Sequence, residues 1–517
     1  GRLIRKPRAV RADHDEVVGS QAGDVGAGSV RAPDHAARVA DGLPLYCAPG
    51  PEHVPFLYAP LLFWLGGLGM ALGLDGVLAL RLVALASSLG VAALVGHWVR
   101  VETGRVLPGL AAVGLWFAGY GWLAWWYDLA RNDCLFVVLV LLAGFLLRHG
   151  GRRGWFLGGL VAAAALLAKQ SALMWLPAIF VGALCRDWRD AVRFGLTAVS
   201  GCAVAVGAMH LASDGWSTFY LFEMPRHHGW VGDRKLGFWT EDVVPMLPLV
   251  ALGVAGFAAR WRRGRRGDAL FLAAVGAGGL LTSWISRLHV GGFDNVLIYG
   301  FAAACVLGPV AAAEGPRWLR VAGPLVLLGQ FAWLAHEAWQ RGAATLLPSE
   351  AHRRAHEELR AFVAAQPGPV WIPAHGHVAY RAGRAADEGA GAHGQAIFDL
   401  MQLLPKLPDG MLDLTALADG AGLEHLSPRA RHALDSLMTR TRDALAERRF
   451  AAIVVDDVGT GMFPVLFGAG LVGADGRFGT DDEPYVRLPG PMLTEPGAIR
   501  PLLGYDVCNP YALAARR

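Results

Sequence analysis

Apolar residues gather in ten stretches between residues 76 and 338, separated by polar loops. They run 76–99, 106–125, 134–148, 155–169, 171–185, 191–212, 243–260, 269–286, 295–313 and 319–338. Water cannot satisfy a backbone inside a bilayer, so spans this apolar are predicted to be membrane-crossing helices. After Gln340-Arg341 the pattern changes: the apolar runs shorten and charge rises. Residues 370–372 and 450–455 read as short buried strands, while 349–365, 393–404 and 428–448 carry helical spacing of apolar residues. The chain is therefore divided into a transmembrane helical domain over 76–341 and a soluble α/β domain over 342–517.

The loops orient the spans. One alternating set holds Arg100 and Arg105; Arg148, Arg152 and Arg153; Arg186, Arg189 and Arg193; Arg262, Arg263, Arg265 and Arg266; and Arg317 and Arg320. The opposite set holds Arg131, Arg226, Arg234, Lys235 and Arg287, although its loops are longer in total. The positive-inside bias makes the first set cytoplasmic. Stretch 155–185 has basic flanks at both ends, so it is predicted to turn back near Lys169-Gln170; a single long tilted helix would put one basic flank on the wrong side. Ten spans return the chain to the external side, and the α/β domain is expected there.

Composition agrees with a membrane protein. The chain is 54% hydrophobic and 17% charged, against about 25% charged for a soluble protein. The net charge of +4 sits in the short loops and reads as topology, not nucleic-acid affinity. Gly-rich and Ala-rich spans suit close helix packing in lipid. The six cysteines form no CxxC pair, which argues against a metal or redox framework.

Residues 1–33 contain no apolar span and no signal-peptide core. They lack helical or strand period and read as disordered or mis-framed. The topology nevertheless places 34–75 outside, as a first external loop. A preceding span is therefore expected, and a truncated start is inferred.

Candidate chemistry collects in the external loops. Asp128 and Asp133 flank Arg131 in the segment Trp125-Trp126-Tyr127-Asp128-Leu129-Ala130-Arg131-Asn132-Asp133. The aromatic residues suit an interfacial belt. The acids suit a solvated loop or an N-cap at Asp133. They equally suit carboxylates that handle a sugar hydroxyl, a phosphate-bound divalent metal or a cationic partner. Lys169, followed by Gln170, either snorkels to the interface or serves as a point charge for a phosphate. Arg81, just inside the external end of its span, has the same two readings. The loop 213–242 carries Pro225-Arg226-His227-His228, which matches no specific metal motif. The loop 286–295 carries His289, and its Gly291-Gly292 before Asp294-Asn295 predicts a tight turn presenting polar groups to the membrane mouth.

The order of these segments resembles a family. Gly42-Leu-Pro-Leu-Tyr46 precedes Phe56-Leu-Tyr58-Ala-Pro60-Leu61, followed by Arg81-Leu-Val-Ala-Leu-Ala-Ser-Ser, Asp128-Leu-Ala-Arg-Asn-Asp133 and Lys169-Gln170-Ser171. The chain is similar to polytopic GT-C glycosyltransferases that use a polyprenyl-phosphate sugar, over about residues 34–338. The bacterial core-galacturonosyltransferase and aminoarabinose-transferase set is the nearest subgroup. The resemblance implies an external-face enzyme of the cell membrane that moves a sugar to a cell-envelope glycan, lipid or protein. It implies a juxtamembrane helix within 55–74, an acid before the next span at Asp133, and a basic residue at Lys169. It implies a first-loop catalytic acid near Ala27, Gly28 or Ser29, none of which can act as a base. Asp24 and Asp34 are the nearest acids. Asp34, in helical register with Arg38 and Asp41, is the substitute candidate.

The expected site therefore has Asp34, Asp133 and Asp128 as catalytic acids. Lys169, Gln170, Arg81, Arg131 and His289 would bind substrate. No resident metal is assigned, and nucleic acid is excluded as a partner. With the first span and the first-loop acid missing, an inactive polypeptide is also expected. The competing class is a transporter or non-catalytic membrane scaffold, which would place charge or broken helices at mid-membrane and show an inverted repeat.

Overall fold

The computed structural model describes residues 27–342, 347–373, 376–384, 394–406, 412–413, 416–419, 422–456, 485–488, 492–494 and 510–515. The chain folds as two compact units. The larger comprises 42–46 and 57–347, and the smaller comprises the described residues within 1–41, 47–56 and 348–517.

The larger unit is a helical bundle. A short helix precedes it, and each of the ten apolar stretches forms a helix within it. With α1 (Ala27–Ala40) in the smaller unit, these are α2 (Leu61–Ala71), α3 (Gly76–Thr103), α4 (Val106–Trp122), α5 (Asp133–His149), α6 (Gly154–Ala168), α7 (Ala172–Leu184), α8 (Trp188–Ala212), α9 (Leu247–Arg262), α10 (Arg266–Leu288), α11 (Leu297–Glu314) and α12 (Arg317–Arg341). Among the described residues, six helical segments are long and apolar enough to cross a membrane: Gly76–Thr103, Trp188–Ala212, Arg234–Arg262, Arg266–Leu288, Asp294–Glu314 and Arg317–Arg341. Four of the ten predicted spans are shorter. Helix α7, with 13 residues, extends only about 20 Å, against a hydrocarbon core of about 30 Å.

Local sequence fixes several helix ends. The Asp75 carboxylate accepts from the Val77 and Leu78 amides at 3.1 and 3.2 Å, capping α3, and Gly104 closes that helix in the left-handed conformation, φ 67°. Asp187 caps α8 in the same way as Asp75. The stretch 155–185 is not one helix. It breaks at Lys169, whose φ of −161° and ψ of 134° are extended, and helix resumes at Ala172. Helices α3 and α4 touch backbone to backbone: a Cβ on Gly109 would lie 2.7 Å from the Gly96 carbonyl oxygen.

Most of the core is apolar, but the end of the bundle opposite Asp133 holds a buried ion network. Glu102 accepts from Arg148, from His149 at 2.8 Å and from Arg260 at 3.1 Å. Arg148 also donates to Asp268 at 2.8 Å, and Arg260 reaches Glu314 at 2.6 Å. Arg148 was expected in a cytoplasmic loop; it lies in the last turn of α5 and is buried. Its partners come from helices far apart in sequence, so loop composition could not reveal them.

In the smaller unit, β1 (Val370–Trp371), β2 (Ala452–Asp456), β3 (Tyr485–Arg487) and β4 (Pro510–Ala515) form a sheet in the order β1-β2-β4-β3. Strand β1 pairs parallel with β2, Val370 opposite Ala452, and β4 pairs antiparallel with both β2 and β3. Helix α13 (Glu350–Ala364) starts at a capping box made by Ser349 and His352. It buries Ala355, Leu359 and Val363, one helical stripe, against Val370, Ile372 and Val454.

The N-terminal region contributes to the smaller unit. Residues 27–33 belong to helix α1, despite Gly28 and the internal Pro33. Packing overrides that weak propensity: Asp34, His35, Ala36, Ala37 and Arg38 are buried, and the His35 Nε2 accepts from the Phe56 amide at 3.1 Å. Residues 34–75 are divided between the two units. Segment 47–56 is held within the smaller unit, where Glu52 pairs with Arg440 and Arg449 and Ser436 donates to the Pro49 carbonyl at 2.9 Å.

Candidate active site

Helix α4 ends at Trp122, and two non-glycine residues in the left-handed region follow it, Ala124 at φ 51° and Trp125 at φ 65°. This conformation is sterically disfavoured for L-residues and persists where the surroundings impose it. Here the surroundings are aromatic. Tyr127 stacks on Trp116 with ring centroids 4.1 Å apart, and its hydroxyl donates to the Trp116 carbonyl at 3.1 Å. Trp126 and Tyr127 are buried, which corrects the expectation that they form an interfacial belt. Their burial fixes the loop that carries Asp128, Arg131, Asn132 and Asp133.

Asp133 is the first residue of α5 and is 1% exposed. Its Oδ1 accepts from Lys169 Nζ at 2.6 Å, from Asn295 Nδ2 at 3.0 Å and from the Tyr299 hydroxyl at 2.9 Å. Its Oδ2 accepts from Arg131 Nε at 3.3 Å. Four donors from three parts of the chain thus meet one carboxylate. A buried charge needs this kind of pairing. Asn132 donates to the Ala168 carbonyl at 2.8 Å. That satisfies an orphan carbonyl at the end of α6 and fixes the backbone beside Lys169.

The two sequence motifs of the larger unit join the same cluster. The Tyr46 hydroxyl donates to the Tyr58 carbonyl at 2.7 Å. The Tyr58 hydroxyl accepts from Arg131 Nη2 at 3.3 Å. The Arg131 guanidinium lies 4.9 Å from the centroid of the Trp126 ring, a cation–π geometry. Gln170 donates to the Leu57 and Leu221 carbonyls, tying the α6–α7 break to the segment after Tyr46. Lys169 and Arg131 against Asp133 leave one net positive charge in a largely buried cluster of polar side chains. Such a site favours an oxyanion over a neutral group.

The other expected residues lie differently. Asp128 does not pair with Lys169 or Arg131; it accepts from Arg81 and from the Tyr120 hydroxyl. Arg81 also donates to the Asp128 carbonyl at 3.2 Å, so the Arg81 charge is already matched. His289 contacts Trp230, ring centroids 4.7 Å apart, in a short bridge between two loops; burial lowers its pKa from 6.5. Asp34 belongs to the smaller unit, and Asp24 lies outside the described residues. Among the described residues, no three His, Cys, Asp or Glu side chains gather as a metal site.

Sequence reasoning did not assign Asn295 and Tyr299. They are four apart, hence on one helical face, at the end of a loop already singled out for its polar groups. That spacing was the available signal. The Asn295 Oδ1 is buried and has no hydrogen-bond partner.

A bundle of apolar helices with a charged cluster at one end and a small α/β unit defines a polytopic membrane protein of the GT-C fold. The structure is similar to ArnT from Cupriavidus metallidurans bound to undecaprenyl phosphate, with TM-score 0.54 and 12% identity, covering 96% of each chain. Apo ArnT from the same organism gives TM-score 0.48 at 14% identity, covering 68% of this chain and 79% of that one. The apo Archaeoglobus fulgidus oligosaccharyltransferase gives TM-score 0.46 at 11% identity, covering 87% and 70% respectively. The fold assignment rests on the first of these. No family model matches the sequence, and no curated protein matches it.

Proposed function

We propose, from the larger unit alone, that the chain is a membrane glycosyltransferase that takes a sugar from a polyprenyl-phosphate donor. The observation that carries this reading is the buried Asp133–Lys169–Arg131 cluster, which holds one net positive charge at the end of the bundle that the loop arginines predict to be external. The fold resembles that of an enzyme crystallised with undecaprenyl phosphate, which supports a lipid phosphate as the anion.

In this reading the lipid phosphate enters beside Lys169 and Arg131. As the glycosidic bond breaks, both bonding electrons stay with the phosphate oxygen, and the two cations stabilise the charge that develops there. Asp133 acts as a positioning residue: it holds Lys169 and Arg131 at fixed places without donating a proton. The open acceptor on Asn295 can take a hydrogen bond from a sugar hydroxyl. The acceptor hydroxyl attacks the anomeric carbon and loses its proton to a base. The product would be a glycan, lipid or protein of the cell envelope carrying the sugar.

The test is transfer from radiolabelled undecaprenyl-phosphate sugars in membranes containing the full chain. Lys169→Met should lower transfer by roughly 10²–10³-fold, the cost of removing one preorganised oxyanion donor. Binding of undecaprenyl phosphate should weaken in the same variant. Unchanged transfer in Lys169→Met would remove the cluster from the site. Movement of the sugar-lipid across the membrane with no transfer would favour a transporter instead.

A further inference from the structure

Helices α9, α10 and α11 enclose a cavity of about 310 Å³. That volume falls within the roughly 300–1,000 Å³ of small-molecule sites. Its wall is almost wholly apolar, with Leu249, Ala273, Leu280 and Leu307 among the lining residues. Val254 and Ala277 line it and are exposed on the surface of the bundle, so the cavity opens sideways, between helices, where a bilayer would lie. The polar side chains lining it are Arg260 and Glu314. Both stand at the end of the bundle opposite Asp133.

That end is basic. Arg148, Arg186, Arg260 and Arg265 share three carboxylates, Glu102, Asp268 and Glu314, and Arg263 donates to the Glu314 main-chain carbonyl. Arg262 and Arg266 stand exposed beside them. The Arg260 side chain is buried, and its Nη1 has no hydrogen-bond partner. A buried guanidinium nitrogen without an acceptor is costly, and here it borders an apolar cavity.

We propose that this cavity holds one acyl chain of an anionic phospholipid, whose phosphate sits at the cavity's charged end among Arg260, Arg263 and Arg265. The occupant is chosen by charge. A zwitterionic lipid would meet the same apolar wall, but only a net negative headgroup matches the excess of arginines. On the orientation the loop arginines predict, this end faces the cytoplasmic leaflet, whose anionic lipids basic pockets between spans recognise. The proposal does not depend on the transferase reading, because it uses none of the residues around Asp133.

The experiment is native mass spectrometry of the full chain, purified in detergent and offered dioleoyl-phosphatidylglycerol or dioleoyl-phosphatidylcholine. One phosphatidylglycerol should be retained, with a preference of roughly tenfold over phosphatidylcholine. Ala273→Phe, which fills the cavity, should abolish retention. Arg263→Ala with Arg265→Ala should remove the preference while leaving weak binding of either lipid. Thermal melts confirm that each variant is folded. Equal retention of the two lipids by the native chain would overturn the proposal, as would unchanged retention in a folded Ala273→Phe. So would a third result: Ala273→Phe displacing undecaprenyl phosphate but not phosphatidylglycerol, which would give the cavity to the isoprenoid chain.

Discussion

At the scale of single residues, Asp133 and Lys169 have both a structural and a chemical consequence, and substitution can separate them. Asp133→Asn leaves Lys169 buried without its counter-ion, and breaking a buried pair from one side costs about 3–5 kcal/mol. The melting temperature in detergent should fall, and transfer should fall with it. Asp133→Asn combined with Lys169→Met removes the Lys169 charge as well and leaves only Arg131 without its carboxylate, so part of the lost stability should return. Transfer should not return, because the phosphate would still lack Lys169, one of its two cations. Recovery of both together would reduce the pair to a structural role. His289 supplies a pH test. Burial depresses its folded pKa below 6.5, so protonation is harder in the folded chain than in the unfolded one. Its cost is absent above pH 6.5 and grows as pH falls from there towards the folded value. His289→Gln should therefore flatten the loss of melting temperature just below pH 6.5; an identical acid profile in native and variant chains would refute this. These residues were differently legible. Asp133, Lys169 and Arg131 stood out because ionisable groups beside apolar runs are costly and need partners. Asn295 and Tyr299 did not, because uncharged polar residues at a span end need no special explanation until their shared acceptor is known.

At the scale of elements, the apolar stretches located the bundle's helices well, since composition alone determines what a bilayer accepts. Lengths were less legible. The break at Lys169 and the short helices α6 and α7 depend on polar groups such as Asn132, which satisfies the end of α6 from another segment. Helix α1 was missed because its sequence contains Gly28 and Pro33 and its stability comes from packing within the smaller unit. The contact between α3 and α4 yields a prediction at this scale. A side chain at Gly109 would strike the Gly96 carbonyl oxygen at 2.7 Å. That atom belongs to a helix backbone and cannot rotate away. Gly109→Val should therefore destabilise the bundle by about 1–3 kcal/mol, the usual cost of overpacking. A melting temperature equal to that of the native chain would mean that the two helices are not pressed together.

At the scale of the whole bundle, α5 connects two charged ends of different character. Asp133 at its start joins a cluster with few arginines nearby, and Arg148 near its end joins the arginine-rich network around Glu102. The loop arginines carried this asymmetry openly in the sequence, because the positive-inside bias acts on loops and needs no tertiary contact. The burial of Arg148 was hidden, because it depends on Glu102 and Asp268 approaching from other helices. The orientation itself is open to direct measurement. Arg262 and Gly232 are both exposed, and they lie at opposite ends of the segment Arg234–Arg262, beyond one end and at the other. In a background lacking the six native cysteines, Arg262→Cys should resist a membrane-impermeant maleimide in intact cells and react once the membrane is permeabilised. Gly232→Cys, where an added Cβ meets nothing within 4 Å, should react in intact cells. Reaction of Arg262→Cys from outside intact cells would invert the bundle. It would place the Asp133 cluster on the cytoplasmic face, and the external transfer proposed for that cluster would fail with it.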